Sequence, residues 1–383
     1  MLKIVISGVN LVEGGILRVL KDVLQALRPL KTTLGLEVIV LVHKRNLVAE
    51  YLDDYQIIEY PEIKTAWRKR IKFEYITSNQ LSKQLKPDLW IALHDMTPTV
   101  TCPMQVVYCH NASPFYKTDL SKFFYDTTFS LFTLFYKYLY RINIKKNAFV
   151  IVQQEWLRQK FRELYGVNAI VASPVSKGGI IAENKNLLAA LPVNFDRPVF
   201  FYPTFPRVFK NIEALCRAAE MLQQTISDFE LVITMDGQEN AYARKVVDRF
   251  RHISQIRFIG LQSRKTVEAL YYEADSLVFP SKLETWGLPV SEFMQYNKPI
   301  LIADLPYAHE TIGSYQKAKF FAPDDEQQLA EYMAAIINKT LVFDINQPVT
   351  PAWPYFTCWD DLLQFLLTEA NAKKNNTPPL SAL

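Results

Sequence analysis

The sequence predicts an α/β protein of two Rossmann-like, doubly wound domains facing each other across a cleft. Three observations predict it. The chain has 383 residues, too many for one ordinary core. Short apolar β-rich runs alternate with helical patterns, the mark of parallel sheets with helices on both faces. The rhythm breaks once, around residues 173–196, where Ser173-Pro174, Gly178-Gly179 and Leu191-Pro192 sit in a weak apolar pattern.

In chain order, the first series of strands is expected at residues 3–7, 37–43, 89–92, 105–108 and 148–153, with a helical apolar face at 16–27 between the first two. A second series follows at 198–202, 229–235, 256–259, 276–280 and 299–303, with helices at 212–225, 241–250 and 264–273. The domains are therefore set at 1–175 and 196–350, with a linker at 176–195. A helix within 351–370 is expected to pack back toward the N-terminal domain, followed by a frayed tail over 371–383.

Composition narrows the function. A hydrophobic fraction of 49% with 21% charged residues is globular, and a net charge of +4 is too small to argue for nucleic acid. The apolar start 2–9 carries only Lys3 and no cleavage-site pattern, so it reads as a buried strand. No stretch makes a clean membrane span; the nearest, 123–140, is interrupted by Asp126, Thr127, Thr128, Ser130, Thr133 and Lys137. Cys102, Cys109, Cys216 and Cys358 lack a CxxC spacing and read as reduced thiols, which together point to the cytoplasm.

The most informative segment is Pro280-Ser281-Lys282-Leu283-Glu284-Thr285-Trp286-Gly287-Leu288-Pro289-Val290-Ser291-Glu292. A strand ends at Pro280, a loop follows, and Pro289 suits the first position of a helix. Amides around Thr285, Trp286, Gly287 and Leu288 supply clustered N–H donors, and the flanking acids Glu284 and Glu292 can accept from hydroxyl groups. Glu292 alone would be a solvated first-turn glutamate favoured by the helix dipole; both acids in this strand-to-helix context suit a sugar nucleotide.

This segment resembles the E-x7-E motif of the retaining GT-B glycosyltransferases of family 4, also called glycosyl transferases group 1. Pro280, Ser281, Glu284, Gly287, Leu288, Pro289 and Glu292 match the usual wording, while Thr285 and Trp286 replace a common Gly-Phe pair. Arg207-Val208-Phe209-Lys210-Asn211 is similar to the family's R-x-x-K segment. The resemblance implies that Arg207 and Lys210 clamp the donor diphosphate, offsetting charge on the departing phosphate. It further implies a base-side wall near Gly260, and a donor-covering loop at Gly14-Gly15, where paired glycines let backbone approach a phosphate. His110, at a strand end in Val106-Val107-Tyr108-Cys109-His110, matches a family histidine near the donor sugar and acceptor; His94 is similarly placed.

Glu284, His110, Arg207 and Lys210 are thus the catalytic candidates. Donor binding is assigned to Gly14, Gly15, Arg207, Lys210, Gly260, Thr285, Trp286, Gly287, Leu288 and Glu292. No cofactor is expected beyond the nucleotide-sugar donor. With no His, Cys and carboxylate cluster at metal-ligand spacing, no metal is expected either. The expected activity is transfer to a glycan or lipid-linked acceptor in bacterial surface polysaccharide assembly (lipopolysaccharide, capsule or exopolysaccharide). The alternatives are a nucleotide-sugar epimerase or hydrolase of the same fold, or a non-catalytic sugar-nucleotide-binding relative. Basic, aromatic stretches at 67–73 and 115–146 suit contact with an anionic membrane, on the cytoplasmic face of the inner membrane; an aromatic core helix with solvated lysines is the plainer reading.

Overall fold

A computed structural model describes residues 1–116, 127–173 and 185–377. The first part of the expected linker, 176–184, together with Lys117, Lys122 and residues 378–383, lies outside them. The chain divides into two compact units. One comprises Met1–Phe115, Phe135–Val175 and Pro351–Leu383, the other Tyr116–Leu134 and Ser176–Thr350.

In the first unit the chain runs through β1 (Lys3–Gly8), α1 (Gly14–Leu34), β2 (Glu37–Val42), β3 (Gln56–Glu59), α2 (Trp67–Lys72), a π-helical turn at Phe73–Thr77 and α3 (Ser78–Leu85). It continues with β4 (Leu89–Ala92), β5 (Met104–Cys109), the part of α4 (Thr127–Arg141) from Phe135 onward, β6 (Phe149–Val152), α5 (Glu155–Tyr165) and β7 (Ile170–Ala172). Every residue of β4 and β5 is buried, as a parallel sheet covered on both faces requires. The helix expected at 16–27 starts earlier and ends later: α1 stops at Gly35, whose left-handed φ of 59° closes it.

The second unit follows the same plan. It contains β8 (Val199–Tyr202), α6 (Ile212–Leu222), β9 (Glu230–Ile233), α7 (Ala241–Phe250), β10 (Ile256–Phe258) and α8 (Arg264–Glu273). Then come β11 (Ser276–Phe279), α9 (Leu288–Met294), β12 (Ile300–Ala303), α10 (Pro306–Ile312), β13 (Ala318–Phe321) and α11 (Glu326–Ile337). Its sheet order is β10-β9-β8-β11-β12-β13, all parallel, the doubly wound order in which the winding reverses between β8 and β11. β13 was not anticipated from sequence, since its half-exposed Lys319 and Phe320 break the apolar run.

The chain then returns to the first unit through β14 (Tyr355–Phe356) and α12 (Trp359–Lys374). β14 pairs parallel to β7, giving the order β14-β7-β6-β5-β4-β1-β2-β3 with its reversal between β1 and β4. The guanidinium of Arg158, only 2% exposed, anchors this return by donating to the carbonyls of Ala352 (2.8 Å) and Pro354 (3.2 Å). Leu362, Leu363, Leu366 and Ala370 of α12 join the core that α1 lines. α12 continues to Lys374, past the expected helix end at 370. Ala372 is buried, and the Lys374 ammonium reaches the Asp88 carboxylate at 2.8 Å.

Candidate functional site

Open α/β sheets bind ligands beyond the carboxyl ends of their strands, where the winding reverses. In the second unit that point lies between β8 and β11, and two of the sequence's candidates meet there. β8 runs into the loop Pro203-Thr204-Phe205-Pro206-Arg207, and a 3-10 turn at Val208–Lys210 brings Lys210 back toward β11. β11 runs into Pro280, Ser281 and Glu284. The Lys210 ammonium and a Glu284 carboxylate oxygen lie 2.5 Å apart, with side chains 18% and 15% exposed. The Lys210 ammonium also lies over the rings of Phe209 (5.4 Å) and Phe279 (5.8 Å). The two loops are laced by main chain: the Lys282 N–H donates to the Phe209 carbonyl at 2.7 Å, and the Tyr202 hydroxyl to the Lys210 carbonyl at 3.0 Å. Arg207 lies over the Phe205 ring at 5.2 Å.

The rest of the motif forms a turn into a helix. Gly287 has φ +84°, which favours glycine; an added Cβ would stand in ordinary contact, 3.4 Å from the Phe279 ring. Pro289 sits in the first turn of α9. The Trp286 indole N–H donates to the Ser291 hydroxyl at 2.8 Å, pinning the loop that carries Thr285, Trp286 and Leu288. Glu292 is satisfied at both oxygens, by the Arg264 guanidinium at 2.6 Å and the Tyr271 hydroxyl at 3.0 Å. Burial, with the Glu292 charge second, pushes the Tyr271 hydroxyl well above its ordinary range and keeps it a donor. Gly260 (φ +70°) lies in the loop after β10, and a Cβ there would meet the Asp236 carboxylate at 3.2 Å.

The remaining candidates belong to the first unit. Gly14 and Gly15 open α1, and a Cβ added at Gly14 (φ +57°) would meet no heavy atom within 4 Å, so the space around it is open. His110 follows β5, and its ring Nδ1 is buried without a hydrogen-bond partner among the described residues. Its backbone N–H and that of Asn111 both donate to Oδ1 of Asp95 (2.8 and 3.1 Å), as does the Tyr140 hydroxyl (2.9 Å). Asp95 Oδ2 stands 3.7 Å from His110 Nε2. Asp95 itself holds φ +71°, an uncommon conformation for a residue with a side chain.

His94 has a different role from the one its position suggests. Its Nε2 is 2.9 Å from the Ser7 hydroxyl and its Nδ1 is 3.4 Å from Glu74, a pattern that looks like a nucleophile, base and orienting acid. Arg70 intervenes, however, with its Nη2 3.0 Å from the same Nδ1. A guanidinium only donates, so Nδ1 accepts and the ring proton sits on Nε2, facing Ser7. The imidazole therefore gives a hydrogen bond to Ser7 and does not take its proton. Ser7, His94 and Glu74 are at most 1% exposed. Burial, reinforced by Arg70, holds the imidazole well below its usual range, and burial pushes Glu74 up to about 7.

Sequence reasoning missed Arg264, Tyr271, Asp95 and Asn240. Arg264 and Tyr271 lie 28 and 21 residues before Glu292 and meet it only through the sheet's winding. The one available signal for Asp95 was its place beside a strand end, next to His94. Among the described residues, no group of three or more His, Cys, Asp or Glu side chains is placed to hold a metal ion.

Comparison with known proteins agrees with this geometry, since residues 191–344 match the family model described as Glycosyl transferases group 1. That span is similar to a group 1 glycosyl transferase domain. The O-antigen chain mannosyltransferase RfbU of Salmonella typhimurium is 22% identical over 225 residues, 57% of this chain. The match spans 58% of that relative's length. Among solved structures, sucrose-phosphate synthase from Thermosynechococcus elongatus superposes with a TM-score of 0.66 at 15% identity, over 89% of this chain and 90% of that one. Anabaena Alr3699/HepE, solved with UDP-glucose, gives 0.56 at 16% identity over 89% and 91%. The fold is GT-B, and the matched span contains Arg207, Lys210, Gly260, Glu284 and Glu292.

Proposed function

We propose that the protein is a retaining glycosyltransferase that moves a sugar from a nucleoside-diphosphate sugar to a glycan or lipid-linked acceptor in bacterial surface polysaccharide assembly. The observation that carries this reading is the Lys210–Glu284 pair across the β8–β11 reversal, inside the matched span. The O-antigen role of the Salmonella relative supports the polysaccharide setting.

In this reading the donor diphosphate takes Lys210 from Glu284 and is held by Lys210, Arg207 and the amides of Thr285, Trp286, Gly287 and Leu288. Glu284, released, accepts from sugar hydroxyls, and Glu292, oriented by Arg264 and Tyr271, accepts from the ribose. The bond from the sugar's anomeric carbon to the diphosphate oxygen breaks while the acceptor oxygen bonds to the same carbon from the same face. The acceptor's proton leaves with the diphosphate. The cations stabilise charge that grows on the leaving group, so they act most strongly in the transition state. No metal takes part in this scheme.

A thermal-shift screen with UDP, GDP, dTDP, ADP and CMP tests it, because a ligand of the native state raises the melting temperature. One diphosphate should stabilise the protein and fail to do so in Glu292→Ala and Lys210→Ala. Absence of any shift at millimolar nucleotide would overturn the reading. Product analysis with donor alone separates transfer from hydrolysis or epimerisation.

Among the described residues no helix is long and apolar enough to cross a membrane. Contact with an anionic membrane is proposed through α2 and the end of α4. Trp67, Ile71, Ile76, Phe135, Tyr138 and Ile142 are exposed there beside the exposed bases Arg68, Lys69, Lys72, Lys137 and Arg141. The Trp67 and Tyr136 rings, 6.5 Å apart, join the two segments. Vesicles with anionic lipid should retain the protein at low salt and release it at high salt; equal retention on neutral vesicles would refute the electrostatic part.

A further inference from the structure

We propose that Asn240 is a positioning residue for the diphosphate clamp, fixing the loop from which Arg207 reaches the donor; this rests on the assignment of Arg207 to the donor diphosphate. Asn240 is the N-cap of α7, and its Oδ1 accepts from the Ala243 N–H at 2.9 Å. Its Nδ2 donates at 2.8 Å to the carbonyl of Pro206, the residue immediately before Arg207. The two partners fix which way the amide faces, since only the oxygen can meet the N–H and only the NH₂ the carbonyl.

Capping alone does not call for asparagine. Ser and Asp cap a helix comparably well, and they need only the oxygen. What the amide adds is a donor aimed out of its own helix, across to the β8 loop. That loop is otherwise poor in donors, because Pro203 and Pro206 have no N–H. Its other tether from the β9 side is Thr234, whose hydroxyl accepts from the Thr204 N–H (2.7 Å) and donates to the Thr204 carbonyl (2.9 Å). Thr234 thus holds the near end of the loop, at Thr204, and Asn240 the far end, where Arg207 begins.

Two substitutions separate capping from positioning. Asn240→Asp keeps the capping oxygen, removes the donor and sets a carboxylate oxygen against the Pro206 carbonyl. Asn240→Ser keeps a cap but is too short to reach Pro206, and it carries the test if Asn240→Asp does not fold. Calorimetric titration with UDP and with GDP should show the dissociation constant raised about three- to tenfold in both variants, the cost of one such hydrogen bond. The melting temperature without nucleotide should stay near wild type. In an Arg207→Ala background the same substitutions should cause no further weakening, because Asn240 acts through Arg207. Equal weakening in both backgrounds, or none in either, would overturn the proposal. An Arg207→Ala protein that binds as wild type would instead remove the clamp assignment itself, and this inference with it.

Discussion

Both units set an acid–base pair near the point where their sheets reverse, and the two pairs differ most in exposure. In the first unit Arg70 and Glu74 are 7% and 0% exposed, and the imidazole between them and Ser7 is sealed as well. In the second unit Lys210 and Glu284 are 18% and 15% exposed, and Arg264, the partner of Glu292, is 54% exposed. A charge in the sealed cluster can exchange its partner only by unfolding, whereas a charge at the β8–β11 crevice can exchange it for a ligand. The same residue types therefore serve as fixed scaffold in one place and as a candidate site in the other.

The largest effect should come from breaking the sealed pair. Arg70→Met leaves a carboxylate buried without its counterion, which costs about 3–5 kcal/mol by urea unfolding. The double variant with Glu74→Leu should recover much of that. A single variant as stable as wild type would show that the cluster is not sealed. Next is Lys210→Ala, expected to lower transfer about 10²–10³-fold. Its unfolding free energy should change by no more than about 1 kcal/mol, since the pair is partly solvated. If the two measurements moved together, the contrast between the units would fail.

How much of this was legible in the sequence follows the same divide. Glu284, Gly287, Pro289 and Glu292 lie within one short loop, so their order in sequence reports their arrangement in space. Most strands were legible as well, because parallel strands buried on both faces are continuous apolar runs. The partners were not. Glu292 meets Arg264 and Tyr271, and the Pro206 carbonyl beside Arg207 meets Asn240, only after the sheet has wound, and no local period records that. His94 shows the opposite failure: its strand-end position suggested a ligand contact, while the burial that makes it structural depends on Arg70, 24 residues away. β14, two residues long, and the half-exposed β13 carry too little apolar pattern to be read locally.

A third prediction uses pH to probe the sealed cluster. Glu74 has a native value of about 7 against an ordinary 4.5, so the folded state binds the extra proton within that window. Its contribution to stability is fully present below 4.5 and is lost as pH rises to about 7. Glu74→Gln removes that titration and leaves the His94 contribution in place. The stability difference, wild type minus variant, should therefore fall with rising pH by up to about 1.4 kcal/mol per pH unit. A difference independent of pH would mean that Glu74 stays ionised when buried.

The smallest effect is expected at Arg264. Its salt bridge to Glu292 is half-exposed on the Arg264 side, so Arg264→Ala should cost under about 1 kcal/mol of stability. Its consequence should appear in nucleotide binding. Arg264 and Tyr271 hold separate oxygens of Glu292, so removing Arg264 leaves one anchor and lets the carboxylate turn about the other. The nucleoside diphosphate should then bind up to about tenfold more weakly, the range expected for one charged or neutral hydrogen bond's orienting effect. Tighter binding would reverse the assignment: Arg264 would then be a competitor for the Glu292 oxygens that the ribose must use, and the crevice would be a site its own arginine partly closes.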